Sequence, residues 1–150
     1  MSTSTRFEEH HMPLGRRISK DVAARMEDDR RLAGSYRDRL ADATAAEAAL
    51  RTAQAEDRPA DEVKALDVAF DRALTTALEA ALAAERVEMG AKVYVSEGQD
   101  GTARRAAEIA ERKARARWSV RPWTDEIDRL RTAREAHRLS YRAGRSVAAV

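Results

Sequence analysis

From Val22 onward, apolar or small side chains recur in alternating steps of four and three: Val22, Met26, Asp29, Ala33, Tyr36, Leu40, Ala43, Glu47 and Leu50. This heptad spacing predicts one long helix from Ser19 to about Asp57, with Asp29 and Glu47 as polar intrusions in its seam. Ser19 offers an N-cap, and Asp21 places a negative charge in the first turn, where the helix dipole favours it. At 1.5 Å per residue such a rod is about 60 Å long, whereas a compact domain of this size has a radius of gyration near ~15 Å. The rod does not fit inside a ball.

Pro59 ends that helix, because proline lacks a donor and clashes with the preceding turn. Asp61 and Glu62 then open a second helix, expected to reach about Val95. Its ridge, Leu66, Phe70, Leu74, Leu78 and Leu82, advances in strict four-residue steps and continues through Val87, Met89 and Val93. The short connection implies an antiparallel hairpin. Residues 96–101 read as a loop, and Thr102 is placed to cap a third helix over 103–118, with a small-residue stripe of Ala103, Ala107, Ala110, Ala114 and Trp118. Ser119-Val120-Arg121-Pro122 reads as a break. Thr124 starts a fourth helix, with a stripe of Trp123, Ile127, Leu130, Arg134, His137 and Tyr141. No strand pattern occurs. The expected fold is all-α: a long antiparallel coiled-coil hairpin followed by a shorter helical pair. Residues 1–17, with Pro13 and Gly15 and no period, form a flexible arm; 18–95 form an acidic hairpin; 96–150 form a basic pair.

Composition adds a constraint. Of the 150 residues 32 are alanine, and Leu, Ile, Val and Phe together make only 24, so a bulky core is excluded. Long helices with alanine-rich seams bury little surface alone, which predicts a homo-oligomer held through Val22, Met26, Tyr36, Leu40, Leu50, Leu66, Phe70, Leu74, Leu78 and Leu82. The absence of cysteine rules out disulfides and thiolate metal sites. No apolar run reaches the roughly 20 residues that span a bilayer, and the first residues lack the apolar stretch of a secretory signal. No membrane partner is expected, and the chain is expected in the cytoplasm.

Charge divides the chain. Residues 1–100 carry 15 Lys+Arg against 20 Asp+Glu, and residues 101–150 carry 13 against 6, so an acidic two-thirds joins a basic final third. On a helical wheel Arg131, Arg138, Arg142 and Arg145 fall within about 60° of one another. Arg104, Arg105, Arg112 and Arg115 make a similar cluster on the third helix, and Arg117 and Arg121 extend it. Such stripes suit the phosphates of single- or double-stranded nucleic acid, or an acidic protein surface. Trp118 and Trp123 flank Arg121 and can stack on unpaired bases. Against this, Glu108 and Glu111 stand four residues before Arg112 and Arg115 and can neutralise them, and both tryptophans sit where helices meet and core aromatics belong.

Signatures of chemistry are missing: no phosphate loop, dinucleotide fingerprint, nucleophile elbow or His-Glu-x-x-His pair. Asp67 and Asp71 share a helix face, with no imidazole close in sequence, and read as solvated charge. His10-His11 lie on the arm, which cannot hold metal geometry, and His137 reads as a buried or interfacial histidine. Neither a metal, a cofactor nor an enzymatic activity is expected.

Tyr94-Val95-Ser96-Glu97-Gly98, followed by Thr102-Ala103-Arg104-Arg105-Ala106-Ala107-Glu108-Ile109-Ala110 and a closing basic helix, resembles small helical coiled-coil proteins of tailed bacteriophages. The resemblance implies a role in recombination or single-strand binding, in the cytoplasm of an infected bacterium or within a virion, and transfers no catalytic residue. The function expected from the whole sequence is a non-enzymatic, self-associating protein that binds nucleic acid, or a protein that handles it, through its basic C-terminal helices. A virion scaffold and an inhibitor or adaptor of one host protein are the alternatives.

Overall fold

The computed structural model describes residues 18–148, with side chains described through Gly144, and among these residues it is all-α. The helices are α1 (Lys20–Gly34), α2 (Tyr36–Ala55), α3 (Ala60–Met89), α4 (Gly101–Arg115) and α5 (Arg121–Ala148), with a 3-10 turn at Ala91–Val93. The expected arm over 1–17, with His10 and His11, lies outside the described residues.

The predicted 19–57 rod is interrupted at Ser35. Its N–H and hydroxyl both turn back to the Leu32 carbonyl, at 3.1 and 2.6 Å, and Arg39 Nε donates to the same hydroxyl at 2.8 Å. A Gly34-Ser35 pair is a known place for a helix to break, since glycine costs backbone entropy and serine offers the backbone a rival bond. The break lets α1 lie on the C-terminal half of α3 while α2 lies on its N-terminal half, as the pairs Asp29–Arg86 and Arg39–Thr76 show. After Ala55 the chain turns through Asp57 at φ 51°, and the Asp57 and Arg58 amides bond back to Gln54 and Ala53. That is a Schellman end with aspartate where glycine is usual.

α3 is the centre. Ala77, Leu78, Ala80, Ala81, Ala83, Ala84 and Glu85 are all buried, so the helix is covered on nearly every side there, by α1 and α2 and also by α5. Its many alanines let three neighbours approach one axis closely. α5 packs chiefly on α3, antiparallel to it and roughly alongside α2, and Leu130 (1% exposed) and Ile127 (2%) enter the main cluster with Phe70, Leu74 and Tyr36. The expected partnership of the last two helices is therefore not the main packing. α5 closes a bundle on α3, and α4 stands aside.

Three boundaries differ from expectation. α3 stops at Met89 rather than Val95, because Gly90 adopts φ 95° and ψ −177°, a region open in practice to glycine alone. α4 is capped by Asp100 rather than Thr102; the Asp100 carboxylate accepts from the Thr102 and Ala103 amides, both at 3.1 Å. α5 begins at Arg121, so Pro122 sits inside its first turn, where a missing N–H costs nothing.

α4 buries only Ala107 and Ala114, and it rests on the 3-10 turn and the end of α3 through a small cluster of Met89, Ala114, Val120 and Val93. So little apolar area predicts local opening. Amide exchange of α4 is expected to be at least about tenfold faster than that of α3, read by hydrogen exchange with mass spectrometry; equal protection of the two would contradict this packing.

Candidate nucleic-acid interface

The segment that carries α4 is tied to α1. Ser19 and Ser96 share a hydroxyl hydrogen bond of 2.6 Å, the Glu97 amide donates to Asp21 at 2.8 Å, and Arg25 donates to the Val95 carbonyl while its guanidinium lies 5.9 Å over the Tyr94 ring. Beneath them Asp29, the polar intrusion of the seam, accepts two bonds from Arg86 at 2.9 Å each and one from the Tyr94 hydroxyl at 2.5 Å. Burial pushes the Asp29 carboxyl up, but the bonds from Arg86 and Tyr94 outweigh it and leave its pKa below the ordinary 3.8. Burial and the Asp29 carboxylate hold the Tyr94 phenol well above its usual range. The other end of α4 is pinned by Arg117, which donates to the Met89 and Glu88 carbonyls at 2.6 and 3.3 Å and so caps α3 with a positive charge.

Between these ties α4 presents cations. Arg104, Arg105, Arg112 and Lys113, and Arg121 at the start of α5, are exposed and have no partner among the described residues, while Arg115 is paired with Glu111 at 2.5 Å. Of the two neutralising pairs that the sequence allows, only this second one forms. Trp118, in the turn after α4, is 86% exposed. Trp123 is not a platform: it lies edge-on to Tyr36, with centroids 5.2 Å apart and planes at 82°, as a half-buried part of the bundle. One tryptophan is core and the other is surface.

The predicted α5 stripe is weaker than its sequence suggests. Arg138 is held by Asp71 through two bonds of 2.7 and 3.3 Å, which keep the Asp71 pKa low against burial. Arg131 and Arg142 are exposed, and the side chain of Arg145 lies outside the described ones. Only separation in sequence hid Asp71 from the wheel.

The proposed self-association seam lies inside the chain. Val22, Met26, Tyr36, Leu50, Phe70, Leu74 and Leu78 are buried, and Leu40, Leu66 and Leu82 are half-buried, all among the chain's own helices. α2 and α5 diverge over the N-terminal half of α3 and leave a groove of ≈ 890 Å³, with Leu40, Val63 and Leu130 among its lining. Beside it the structure brings an imidazole to Asp67, contrary to the sequence reading. His137 Nε2 lies 2.9 Å from the Asp67 carbonyl and 3.9 Å from its carboxylate, and its ring meets Phe70 edge-on at 4.7 Å. Burial raises the Asp67 pKa, and the His137 charge offsets this only in part. With the ring packed on Phe70 and Arg138 on Asp71, these groups join α5 to α3. Among the described residues no cluster of His, Asp or Glu is arranged to hold a metal ion, and no helix is long and apolar enough to cross a membrane.

No family model, curated protein or solved structure matches the chain.

Proposed function

We propose that this protein is a non-enzymatic binder of single-stranded nucleic acid, which it meets with α4 and the turn that follows. The observation that carries the reading is Trp118, 86% exposed at the end of a helix with unpaired cations. An exposed indole beside arginines suits stacked bases with flanking phosphates. Unpaired bases offer a face to such a ring, whereas duplex bases are stacked on each other. Because every base has a π-face and the cations contact only phosphates, little sequence preference is expected.

Trp118→Ala is expected to weaken binding of a labelled oligothymidylate about 5- to 150-fold, the range of ~1–3 kcal/mol per stacked base. Trp118→Phe should keep most of the affinity. Fluorescence anisotropy at fixed salt reads both. The fold should not change, since the ring touches little of the bundle, and a thermal melt checks this. An unchanged Kd in Trp118→Ala, or no binding of the wild type, would remove the reading.

A further inference from the structure

Beside Trp118, the face of α4 formed by Ala106, Ile109, Ala110 and Lys113 leans over Met89 and Lys92, at the junction of α3 and the 3-10 turn, and encloses a dent of ≈ 350 Å³. We propose that this dent holds one nucleotide of the bound strand: the base lies on Ile109 and Met89, and the flanking phosphates meet Lys92 and Lys113. The proposal rests on the single-strand reading and adds to it a second contact point, which sets the path of the strand.

Three observations carry it. The first is charge: Lys92, Lys113 and Arg117 line the dent and no carboxylate does, in a chain with almost as many acids as bases. Lys92 and Lys113 are exposed and unpaired among the described residues, and Arg117 is fixed in place by its bonds to the Met89 and Glu88 carbonyls. Its charge therefore stands at the rim without any rearrangement on binding. The second is the floor. Ile109 is one of the few large apolar side chains left exposed, at 45%, and it faces the dent beside Met89, whose thioether makes favourable contacts with aromatic rings. An apolar floor with a cationic rim fits a ligand that is flat and apolar in one part and anionic in another. The third is position. Arg117 lines the dent and the exposed Trp118 is the next residue, so a single strand can reach both. A volume near the lower end of ordinary ligand pockets suits one nucleotide unit better than a whole helix or a duplex. Charge complementarity selects the occupant: an acidic peptide would satisfy the lysines but would leave the Ile109 floor without a flat partner.

The test is a salt titration of oligothymidylate binding by the full chain. Lys92→Ala/Lys113→Ala is expected to lower the slope of log K against log salt by about 1.4, since each single-strand phosphate contact contributes about 0.7. Ile109→Ala is expected to weaken binding about fivefold at every salt concentration with the slope unchanged, because it removes base contact and no charge. All three positions are exposed, so the variants should fold, and circular dichroism melts confirm it. A wild-type slope in the double-lysine variant, with Trp118→Ala still weakened, would overturn the dent while the single-strand reading stands. Equal losses on single-stranded and duplex oligonucleotides would reduce the lysines to a general phosphate patch and overturn the base site. If the wild type binds no oligothymidylate, the single-strand reading fails, and this inference fails with it. Binding of vesicles rich in anionic lipid, lost in Ile109→Ala, would assign the dent to a membrane surface and also overturn it.

Discussion

Leu130→Ala is expected to destabilise the protein by about 3 kcal/mol and to lower the melting temperature by roughly 10 °C, using 2–5 kcal/mol for a buried leucine and about 2–4 °C per kcal/mol at this chain length. Leu130 is 1% exposed and belongs to the cluster of Phe70, Leu74 and Tyr36, where α5 meets α3. Removing its branched end strands those neighbours around a void. The surrounding alanines have no longer side chain with which to fill it. The defect should also loosen α5, so that the His137 and Arg138 contacts to α3 weaken together. Leu139, on the same helix but 54% exposed, supplies the control: Leu139→Ala is expected to change stability by less than about 0.5 kcal/mol. Urea unfolding of the two variants separates them. Equal stabilities would mean that α5 is not part of the folded core.

Asp29→Ala is expected to cost about 2 kcal/mol, less than the ~3–5 kcal/mol of a fully buried pair, because water still screens the half-exposed Arg86 partner. Arg86 loses both of its bonds and the Tyr94 hydroxyl loses its acceptor. The same group gives an acid limb to stability. Its folded pKa lies below the ordinary 3.8, so the stabilisation is present in full above that value and is lost as pH falls through the lowered one. Asp71, held low by Arg138, has the same sign, whereas Asp67, raised by burial, has the opposite one and offsets part of the loss. Stability is therefore expected to fall below about pH 4, and Asp29→Asn should start lower and decline less steeply over that range. Chemical denaturation at a series of pH values from about 6 down to 3 measures both, and parallel curves for wild type and Asp29→Asn would dismiss Asp29 as the source.

The helices were legible because their signals are local. Pro59 and the four-residue leucine ridge mark an end and an inward face through local interactions, whereas Ser19 holds the cap position but pairs its hydroxyl with Ser96 instead of capping the first-turn amides. What escaped depends on partners distant in sequence. Asp29 reads as a flaw in a seam until Arg86 and Tyr94 arrive from the end of the hairpin. Arg138 reads as a free cation until Asp71 meets it, and Leu40 and Leu78 read as surface for a second copy until the chain supplies α5. Gly90 was visible, but a single glycine inside an apolar stripe is often tolerated, and only its backbone angles show that the helix ends there. Pro122 misled in the other direction, since proline stops a helix from within and opens one from its first turn. Trp118 and Trp123 have similar neighbours in sequence. Which of them is core depends on Tyr36, far upstream.

The main cluster of the bundle draws on α2, α3 and α5 and takes nothing from α4. The chain leaves the bundle at Gly90, builds α4 on a small patch of its own, and returns through Val120, with Arg117 pinning the return point. The protein is therefore modular within a single fold. α4 and the bundle share one chain but few contacts, so residues on the outer face of α4 can be exchanged, and its charge or aromatic content retuned, while the frame that holds it keeps its architecture.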